Sequence, residues 1–307
     1  MKEYEVPEAL NGSRLDKVAS QLVTGLSRAR VKRAIEEGNV RVNGKRRPKG
    51  ALVQTGDRLT VDETKVADPD AAAEPTKDAP LHVCFENASL LVVDKPAGQP
   101  TAPLRPGETG TLANALVGHH PELAGIGYGP REPGILHRLD TDTSGLVIVA
   151  RTAAAFEALR TALQDGQIRK SYLLICKSEG LPDEGTIEYP IANHPKDQRR
   201  VYACVHPRDV MRYAPRPAST GYRVLERVGD WALVEVDVAK ALRHQIRVHF
   251  AAMGHPLVGD RLYGGVEVEG LGRHALHASR VAFDGDDVVP DFDVTSDLPG
   301  ELRALLR

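Results

Sequence analysis

Hydrophobic residues recur at helical spacing in two segments near the start of the chain. The first segment predicts an amphipathic helix over residues 14–24, whose apolar stripe is formed by Leu15, Val18, Ala19 and Leu22. The second predicts a helix that has Ser27 in the N-cap position and ends at Gly38. Its apolar face consists of Val31, Ala34 and Ile35.

A hairpin and a short strand are predicted after these helices. Residues 39–43 alternate in character, and Asn43-Gly44 is a turn signal. The hairpin is predicted to continue through residues 45–49, and residues 58–61 are predicted to close the unit as a further strand.

From Leu81 onward the pattern mixes apolar strands with amphipathic helices. Strands are predicted over residues 90–93, 146–150 and 171–176, a hairpin over 221–228 and 231–238, and helices over 153–164 and 242–253. The first of these helices is predicted to be capped by Thr152 and to end near Gly166. The second helix takes its apolar stripe from Leu242, Ile246, Phe250 and Met253. Strand pairs joined by tight turns, with few regular βα repeats, indicate a mainly antiparallel α+β domain.

The segment between the two patterned regions is different in composition. Residues 63–80 are rich in Asp, Ala, Pro and Glu and contain little apolar material, which is typical of a flexible acidic linker. A length of 307 residues accommodates two domains. We therefore predict a small domain over residues 1–62, a linker over 63–80 and a larger domain over 81–307.

Charge is distributed unevenly between these regions. Residues 1–62 hold 13 Lys and Arg against 8 Asp and Glu, a net charge of +5, so the total of −2 leaves −7 for residues 63–307. A small basic module joined to an acidic one favours an anionic partner for the basic part. A solvated charged surface explains the charge alone equally well.

Several classes of protein are disfavoured by the composition. No apolar run approaches the roughly 20 residues of a membrane span, and the N-terminal Met-Lys-Glu-Tyr lacks the apolar region of a secretory signal. The three cysteines, Cys84, Cys176 and Cys204, are unclustered. This fits a reducing cytoplasm and argues against both a disulfide framework and a cysteine zinc site.

The segment 134–145 contains the densest candidate chemistry. It holds His137, Arg138, Asp140 and Asp142 directly before the apolar strand 146–150. A charged cluster beside a buried strand indicates a rigidly held loop, where chemistry tends to sit. An isolated Arg-x-Asp is more often an ordinary surface ion pair, and two carboxylates so close would also suit a glycoside hydrolase.

Other candidate motifs are weaker. The glycine-rich run Gly125–Gly129 is followed by Pro130 and Pro133 where a dinucleotide-binding fold needs a helix, so a loop is predicted there. The histidines at 119, 120, 274 and 277 do not complete a metal-ligand set.

The whole run His137-Arg-Leu-Asp-x-x-Thr-Ser-Gly145 resembles the signature of the RluA family of pseudouridine synthases. Further motifs of that family follow in its usual order. They are Leu91-Val-Val-Asp-Lys-Pro-Ala-Gly98, Lys170-Ser-Tyr172, His244-Gln-Ile-Arg-Val-His249 with Gly254-His-Pro and Gly259-Asp260, and Leu276-His-Ala278. The resemblance covers nearly all of residues 81–283.

The N-terminal part resembles an S4-type RNA-binding domain. The matching residues are Arg14-Leu-Asp-Lys-Val, Ser27-Arg-x-Arg-Val-Lys-Arg-x-Ile, Gly38-x-Val-x-Val-Asn-Gly44 and Gly56-Asp57. This resemblance implies contacts with RNA phosphates, which position a protein and carry little sequence information. The cationic residues assigned to that role are Arg28, Arg30, Lys32, Arg33, Arg41, Lys45, Arg46 and Arg47.

The synthase resemblance also implies roles for individual residues. Asp140 would be the catalytic carboxylate, and Arg247 the nearby cation that favours its charged form. Tyr172 would be the platform on which the target base stacks, and Arg138 would fill the gap left by the extruded uridine. The implied enzyme isomerises uridine in RNA, most often large-subunit ribosomal RNA, as a cytoplasmic monomer without metal or cofactor.

One stretch departs from the family pattern. Members commonly carry Gly-Arg-Thr or Gly-Arg-Lys before the His-Gln-Ile-Arg run, whereas this chain has Ala241-Leu242-Arg243. The departure affects an RNA contact and a local turn, and Arg243 could compensate. It supports the alternative hypothesis, a non-catalytic S4-type RNA-binding protein with a degenerate synthase domain.

Two residues near the motifs keep more than one interpretation. Lys95 is either a surface lysine or a contact to the RNA backbone. His137 is interpreted as a structural hydrogen-bonding partner with no catalytic role.

Overall fold

The computed structural model describes residues 1–23, 28–62 and 71–307. The chain divides into two units, one made of Met1–Ala73 with Pro103–Glu108 and the other of Glu74–Ala102 with Thr109–Arg307. Among the helices within the described ranges, none combines the length and apolar character needed to cross a membrane.

The first unit packs two helices against a small antiparallel sheet. Its elements are β1 (Lys2–Glu5), α1 (Leu15–Leu22), α2 (Arg28–Glu37), β2 (Val40–Val42) and β3 (Arg58–Val61), with strand order β1-β3-β2. The predicted helical stripes supply the core, since Leu15, Val18 and Ala19 pack with Val31, Ala34 and Ile35. The predicted N-cap Ser27 lies outside the described residues.

The predicted hairpin of this unit is only partly present. Asn43 and Gly44 form the expected turn with φ values of 49° and 76°, a region that Asn and Gly tolerate best. Beyond the turn only an isolated bridge joins Val42 to Lys45, and β2 pairs with β3 instead. The prediction of a hairpin through residues 45–49 was therefore wrong.

The second unit is built around one mixed sheet. Its strands are β4 (Val83–Glu86), β5 (Leu90–Lys95), β6 (Ser144–Ala150), β7 (Arg169–Lys177), β8 (Glu184–Ile187), β11 (Thr220–Val228), β12 (Trp231–Asp237), β13 (Leu276–Phe283) and β14 (Phe292–Thr295). Their order is β4-β5-β6-β13-β7-β12-β11-β8, and β14 pairs with β13. A separate pair is formed by β9 (Ile191–Asn193) and β10 (Val201–Ala203).

The helices of this unit are short, with one exception. They are α3 (Leu112–His119), α4 (Ala153–Asp165), α5 (Pro207–Tyr213), α6 (Gln245–Ala252) and α7 (Gly300–Arg303). In α4 the Thr152 side chain accepts from the Ala155 amide, and Gly166 ends the helix at φ 78°. Both caps were predicted from the sequence.

Pairing in the large sheet confirms the predicted fold class. Among the described strands, β6 and β13 pair in parallel and the other neighbours pair antiparallel. The protein is thus α+β with a mainly antiparallel sheet. Every residue of β6 is buried, so the loop that precedes it is attached to the centre of the core.

Part of the predicted linker contacts this second unit. The Asn114 side chain donates to the Glu74 carbonyl at 2.8 Å, and the Thr76 amide donates to the Asn114 carbonyl at 3.0 Å. His119 contacts the Ala79 carbonyl through Nε2 at 2.7 Å. Residues 74–79 therefore contact α3 through these hydrogen bonds, while residues 63–70 lie outside the described ranges.

Candidate active site

The loop 139–143 is held by residues from several distant segments. Thr101 Oγ1 donates to the Leu139 carbonyl at 2.8 Å and accepts from the Leu139 amide at 3.2 Å. The Gly98 amide donates to the Thr141 carbonyl at 2.9 Å. These bonds fix the backbone on both sides of Asp140.

Lys95 lies beneath the same loop and is fully buried. Its ammonium donates to the carbonyls of Pro96 and Gln99 at 2.8 Å each and to that of Thr141 at 3.1 Å. Burial lowers the pKa of Lys95 to about 8, and the charge of Asp140 acts in the opposite direction. Both sequence interpretations, a surface lysine and an RNA contact, were wrong, because all three donors are used inside the fold.

The far end of the loop is fixed by residues that precede β13. Arg273 Nη1 donates to the Asp142 carbonyl at 3.3 Å, and Thr143 Oγ1 lies 2.7 Å from His274 Nε2. The Asp142 side chain is exposed and is not among the residues that line the cleft around Asp140. The structure thus gives no support to a paired-carboxylate site.

A buried arginine joins two carboxylates at the centre of the site. Arg247 Nη1 contacts Asp140 Oδ2 at 2.8 Å, while its Nε and Nη2 contact the Asp260 carboxylate at 2.7 and 2.9 Å. Asp260 is 1% exposed, and its Oδ1 also accepts from the amides of Leu262 and Tyr263. The fork geometry leaves Nη1 of Arg247 directed at Asp140.

The electrostatics of the buried pair favour the charged forms of Arg247 and Asp260. Burial alone would lower the pKa of Arg247, but hydrogen bonds and charge from Asp260 and Asp140 raise it overall. Burial would raise the pKa of Asp260, but the hydrogen bonds and charge of Arg247 lower it overall. Arg247 therefore remains a cation beside Asp140, whose side chain is 24% exposed.

An open cleft lies above Asp140. Its walls include the predicted residues Arg138, Tyr172 and Arg247, together with Thr143, Leu242, His244 and Leu276.

The predicted aromatic and cationic walls of the cleft differ in exposure. Tyr172 is 5% exposed on β7, and burial together with the charge of Asp140 raises its pKa, so its hydroxyl stays protonated. Arg138 is exposed, and its only partner within the described ranges is Glu132 at 3.3 Å. Arg138 is thus free to exchange that weak contact for another.

The residues Ala241-Leu242-Arg243 precede α6 in a turn that Gln245 holds by hydrogen bonds. Gln245 Oε1 accepts from the Leu242 amide at 2.9 Å, and Gln245 Nε2 donates to the Ser219 carbonyl at 2.8 Å. The predicted helix start at Leu242 was wrong, because α6 begins only at Gln245 after His244, which has φ 54°. Leu242 itself packs beside the cluster that contains Val201 and Val248.

Arg243 bonds to the protein backbone. Its Nη2 donates to the carbonyls of Gln198 at 2.8 Å and Arg200 at 3.0 Å. This contact ties the start of α6 to the segment before β10. The suggestion that Arg243 replaces the missing arginine in contacting RNA stays a prediction.

Two histidines, the half-buried His137 and the buried His274, support the site and do not line the cleft. His137 Nε2 accepts from the Ile148 amide at 3.2 Å, in agreement with the structural role predicted for it. Burial lowers the pKa of His137 to about 3 and that of His274 to about 4. Both imidazoles are therefore neutral in the folded protein near pH 7.

Because these folded-state pKa values lie below the ordinary value, we expect acid sensitivity. Below about pH 6.5 the unfolded chain binds protons at these histidines that the folded chain does not. The stability that the two neutral histidines contribute is therefore fully present above this pH and is lost as the pH falls toward 4. Each histidine should contribute a slope of about 1.4 kcal/mol per pH unit to the free energy of unfolding. Urea titrations between pH 7 and 4 would measure it.

The matched variant for this test is His274→Gln, whose amide can replace the contact to Thr143. The free energy of unfolding of this variant should fall less steeply with acid than that of the wild type. The difference in slope should equal the contribution of one histidine. An unchanged slope would show that His274 titrates normally.

A group of metal-ligand side chains comes together away from the cleft. Among the residues that can be described, His82, Cys84 and Asp94 offer ligand atoms within 4.8 Å of one another. Sequence spacing did not reveal this group because β4 and β5 each contribute part of it. None of its members lines the cleft, and the metal-free reaction stays a prediction.

The predicted RNA-binding cations of the first unit are largely on its surface. Arg28, Lys32 and Arg33 project from α2, and Arg41, Lys45, Arg46 and Arg47 are exposed on and after β2, while Arg30 is half-buried. Some of them are engaged, since Arg33 pairs with Glu37 at 2.8 Å and Arg46 donates to the Glu37 carbonyl at 3.1 Å.

Sequence reasoning missed three residues that complete the site: Lys95 as an internal cation, Asp260 as the second carboxylate on Arg247, and His244. Lys95, Asp260 and His244 stand inside the matched motifs, so their positions were visible. Lys95 bonds to Thr141, which is 46 residues away, and His244 lies beside Asp140 although more than 100 residues separate them, so no spacing rule connects these pairs.

Comparison with known families identifies the class of protein. A family model described as RNA pseudouridylate synthase matches residues 89–252, and an S4 domain model matches residues 13–59. The first match covers more than half of the chain, which therefore belongs to the RNA pseudouridylate synthase family and carries an S4 domain.

Particular relatives agree with this assignment. The chain is 38% identical over 281 residues to an uncharacterized RNA pseudouridine synthase of Synechocystis, covering 90% of this chain and 83% of the relative. It is 34% identical over 323 residues to the ribosomal large subunit pseudouridine synthase D of Xanthomonas campestris, covering 99% and 92%.

A solved structure gives the same result for the fold. The human RNA pseudouridylate synthase domain containing 1 superposes with a TM-score of 0.59 at 25% identity, covering 73% of this chain and 86% of that one.

Proposed function

We propose that this pseudouridine synthase isomerises specific uridines of large-subunit ribosomal RNA, with Asp140 as its catalytic carboxylate. The observation that carries the assignment is the Asp140–Arg247–Asp260 arrangement at the base of an open cleft. The ribosomal substrate is inferred from relatives such as the Xanthomonas enzyme. A cytoplasmic monomer that uses no cofactor is part of the proposal.

The reaction breaks the bond between uracil N1 and ribose C1′ and forms a bond from C1′ to uracil C5. The proton on C5 is lost and N1 gains a proton, so the product is an isomer and no electrons are exchanged. A carboxylate next to the sugar can act as nucleophile or base in such a step. Arg247 places a cation 2.8 Å from the Asp140 carboxylate.

The remaining walls of the cleft suit the base and the RNA. Tyr172 provides an aromatic wall beside Asp140, and a base stacked on such a side chain gains about 1–3 kcal/mol. Arg138, which is exposed at the rim, would occupy the space that the uridine leaves when it turns out of the helix. Leu242 adds an apolar side chain to the wall of the cleft.

We further propose that residues 1–62 form an RNA-binding domain, residues 63–80 a linker and residues 81–307 the catalytic domain. The S4 match and the exposed cations on and after α2 support the first part. The proposed contacts are to phosphates, so they position the RNA without selecting the uridine.

Neutralising Arg28, Lys32 and Arg33 to Gln should weaken RNA binding and reduce its salt dependence. Each lost phosphate contact should lower the slope of log affinity against log salt by up to about one unit. Filter binding at several salt concentrations would measure both. Saturating RNA should largely restore turnover, since the chemistry lies elsewhere.

The control for this experiment is Arg160→Gln, which removes an exposed cation that pairs with Glu157 on α4. Its salt slope should match that of the wild type. Unchanged binding in the triple variant would show that this surface does not bind RNA.

The function itself is tested by mapping pseudouridines in ribosomal RNA of cells that lack the gene. A site that disappears, returns with the wild-type protein and does not return with Asp140→Ala would establish the activity and the residue together. Return of the site with Asp140→Ala would contradict the catalytic assignment. An unchanged map would favour the alternative, a non-catalytic RNA-binding protein.

A further inference from the structure

His244 occupies a position next to Asp140 that the proposed reaction does not yet explain. Its ring lines the cleft, and its Nε2 lies 3.7 Å from Asp140 Oδ2. The side chain is 13% exposed. Catalytic contacts are often long before substrate binds and shorten in the complex, so this distance is compatible with a hydrogen bond in the working enzyme.

The backbone at His244 is held in an unusual conformation. Its φ of 54° lies in the left-handed region, which is uncommon for residues other than Gly, although Asn, Asp and His adopt it more often than the rest. The turn is fixed on its two sides by the bonds of Gln245 and Arg243 described above. Local strain of this kind persists where the surrounding structure imposes it, and it occurs often at functional sites.

Hydrogen bonding on the other side of the ring determines its tautomer. The Tyr263 hydroxyl accepts from the Val201 amide at 2.9 Å and lies 3.0 Å from His244 Nδ1. The alternative acceptor for the hydroxyl proton, the Val201 carbonyl, is farther away at 3.5 Å. The hydroxyl therefore donates to Nδ1, and the neutral imidazole carries its proton on Nε2, facing Asp140.

The charges around His244 agree with a neutral ring. Burial lowers the pKa of His244, the carboxylates of Asp140 and Asp260 oppose this effect, and the cations Arg247 and Arg243 reinforce it. The result is a neutral N–H donor near pH 7 rather than a second cation.

His244 and Arg247 approach the same oxygen of Asp140. Within the described residues, the hydrogen bond from Arg247 and the closest approach of His244 both involve Oδ2. Oδ1 is therefore the oxygen left to face the cleft.

We propose that His244 is a positioning residue that donates from Nε2 to Asp140 Oδ2 and so directs Oδ1 at the ribose of the target uridine. This inference rests on the proposed function, and it assigns Tyr263 the task of setting the tautomer. Without the donor, the carboxylate rotates about its Cβ–Cγ bond, and a misplaced reacting group can cost roughly 100-fold in rate.

Two substitutions separate this role from backbone strain. His244→Asn suits the left-handed backbone best but its amide reaches only the position of Nδ1, toward Tyr263. His244→Gln suits the backbone less but can place an amide N–H near the position of Nε2, toward Asp140. We expect single-turnover pseudouridine formation to fall roughly 10- to 100-fold in His244→Asn, with most of the rate retained in His244→Gln and RNA affinity unchanged in both.

The wild type in the same assay distinguishes failure of the proposed function from failure of the positioning role of His244. An inactive wild type would refute the proposed function, whereas an active wild type with His244→Asn at or above the rate of His244→Gln would refute the positioning role alone. Wild-type rates in both variants would refute it as well.

A direct measurement covers the case in which His244→Gln does not fold. Nitrogen chemical shifts of isotopically labelled histidine in the wild type report the tautomer, with His244→Asn used to assign the signal. A proton on Nε2 is expected. A neutral ring with its proton on Nδ1 would overturn the proposal.

Discussion

Asp140→Asn should abolish pseudouridine formation while leaving folding and RNA binding intact. The substitution is nearly isosteric, and the Asn carbonyl oxygen can still accept from Arg247, which remains paired with Asp260. It removes the nucleophile or base without creating a cavity. Loss of a catalytic carboxylate acting in this way costs several orders of magnitude, and we expect no product above background in a single-turnover assay.

The measurement is the rate at which product forms in pre-bound RNA, with affinity determined separately. Asp142→Asn is the matched control, since its exposed carboxylate lies two residues away in the same loop and outside the cleft. The rate of product formation by Asp142→Asn should be of the same order of magnitude as that of the wild type. Substantial product from Asp140→Asn would remove Asp140 from the catalytic role.

Arg247→Ala should reduce the rate nearly as severely, because Asp140 and Asp260 would lose the cation between them. It should also destabilise the fold, since breaking a buried ion pair by removing one partner costs about 3–5 kcal/mol. Arg247→Ala combined with Asp260→Asn removes one of the two carboxylates and should recover part of that stability without recovering the rate.

The double variant Asp140→Asn with Arg247→Ala provides the sharper comparison. If both residues serve one step, its rate should be little below that of Asp140→Asn alone. Multiplicative losses would instead show that Arg247 acts in a separate step, such as binding of the RNA. Thermal unfolding of each variant distinguishes loss of fold from loss of chemistry.

Local signals in the sequence were sufficient for elements whose ends are set by their own residues. Helix α4 begins at the predicted cap Thr152 and ends at the predicted Gly166, because both caps act within one turn of the helix. Helix α6 was predicted to begin three residues too early, since the apolar stripe continues through Leu242 while the backbone turns at His244.

Strand β1 was missed for a related reason. Its sequence Lys2-Glu-Tyr-Glu5 is charged and shows little apolar content, and it forms only by pairing with β3 at the edge of its sheet. A strand that owes its existence to a partner more than 50 residues away leaves no local pattern.

The candidate site also contains residues that local motifs identified and residues whose roles depend on distant contacts. The motifs identified Asp140, Tyr172 and Arg247, and the structure brings all three to one cleft. The motifs did not reveal that Lys95 is internal, because its burial depends on the carbonyl of Thr141, 46 residues away. In the same way, the roles of Asp260 and His244 become visible only from their contacts with Arg247 and Asp140.

The parallel pairing of β6 with β13 also has a consequence for synthesis of the protein on the ribosome. The loop that carries Asp140 leads into β6, whose neighbour β13 begins more than 130 residues later in the chain, at Leu276. The core of the S4 unit, in contrast, uses residues that lie between Val6 and Val61. Since nascent chains fold from the N-terminal end, we expect the S4 unit to be folded well before the strands that form the cleft have all been synthesised.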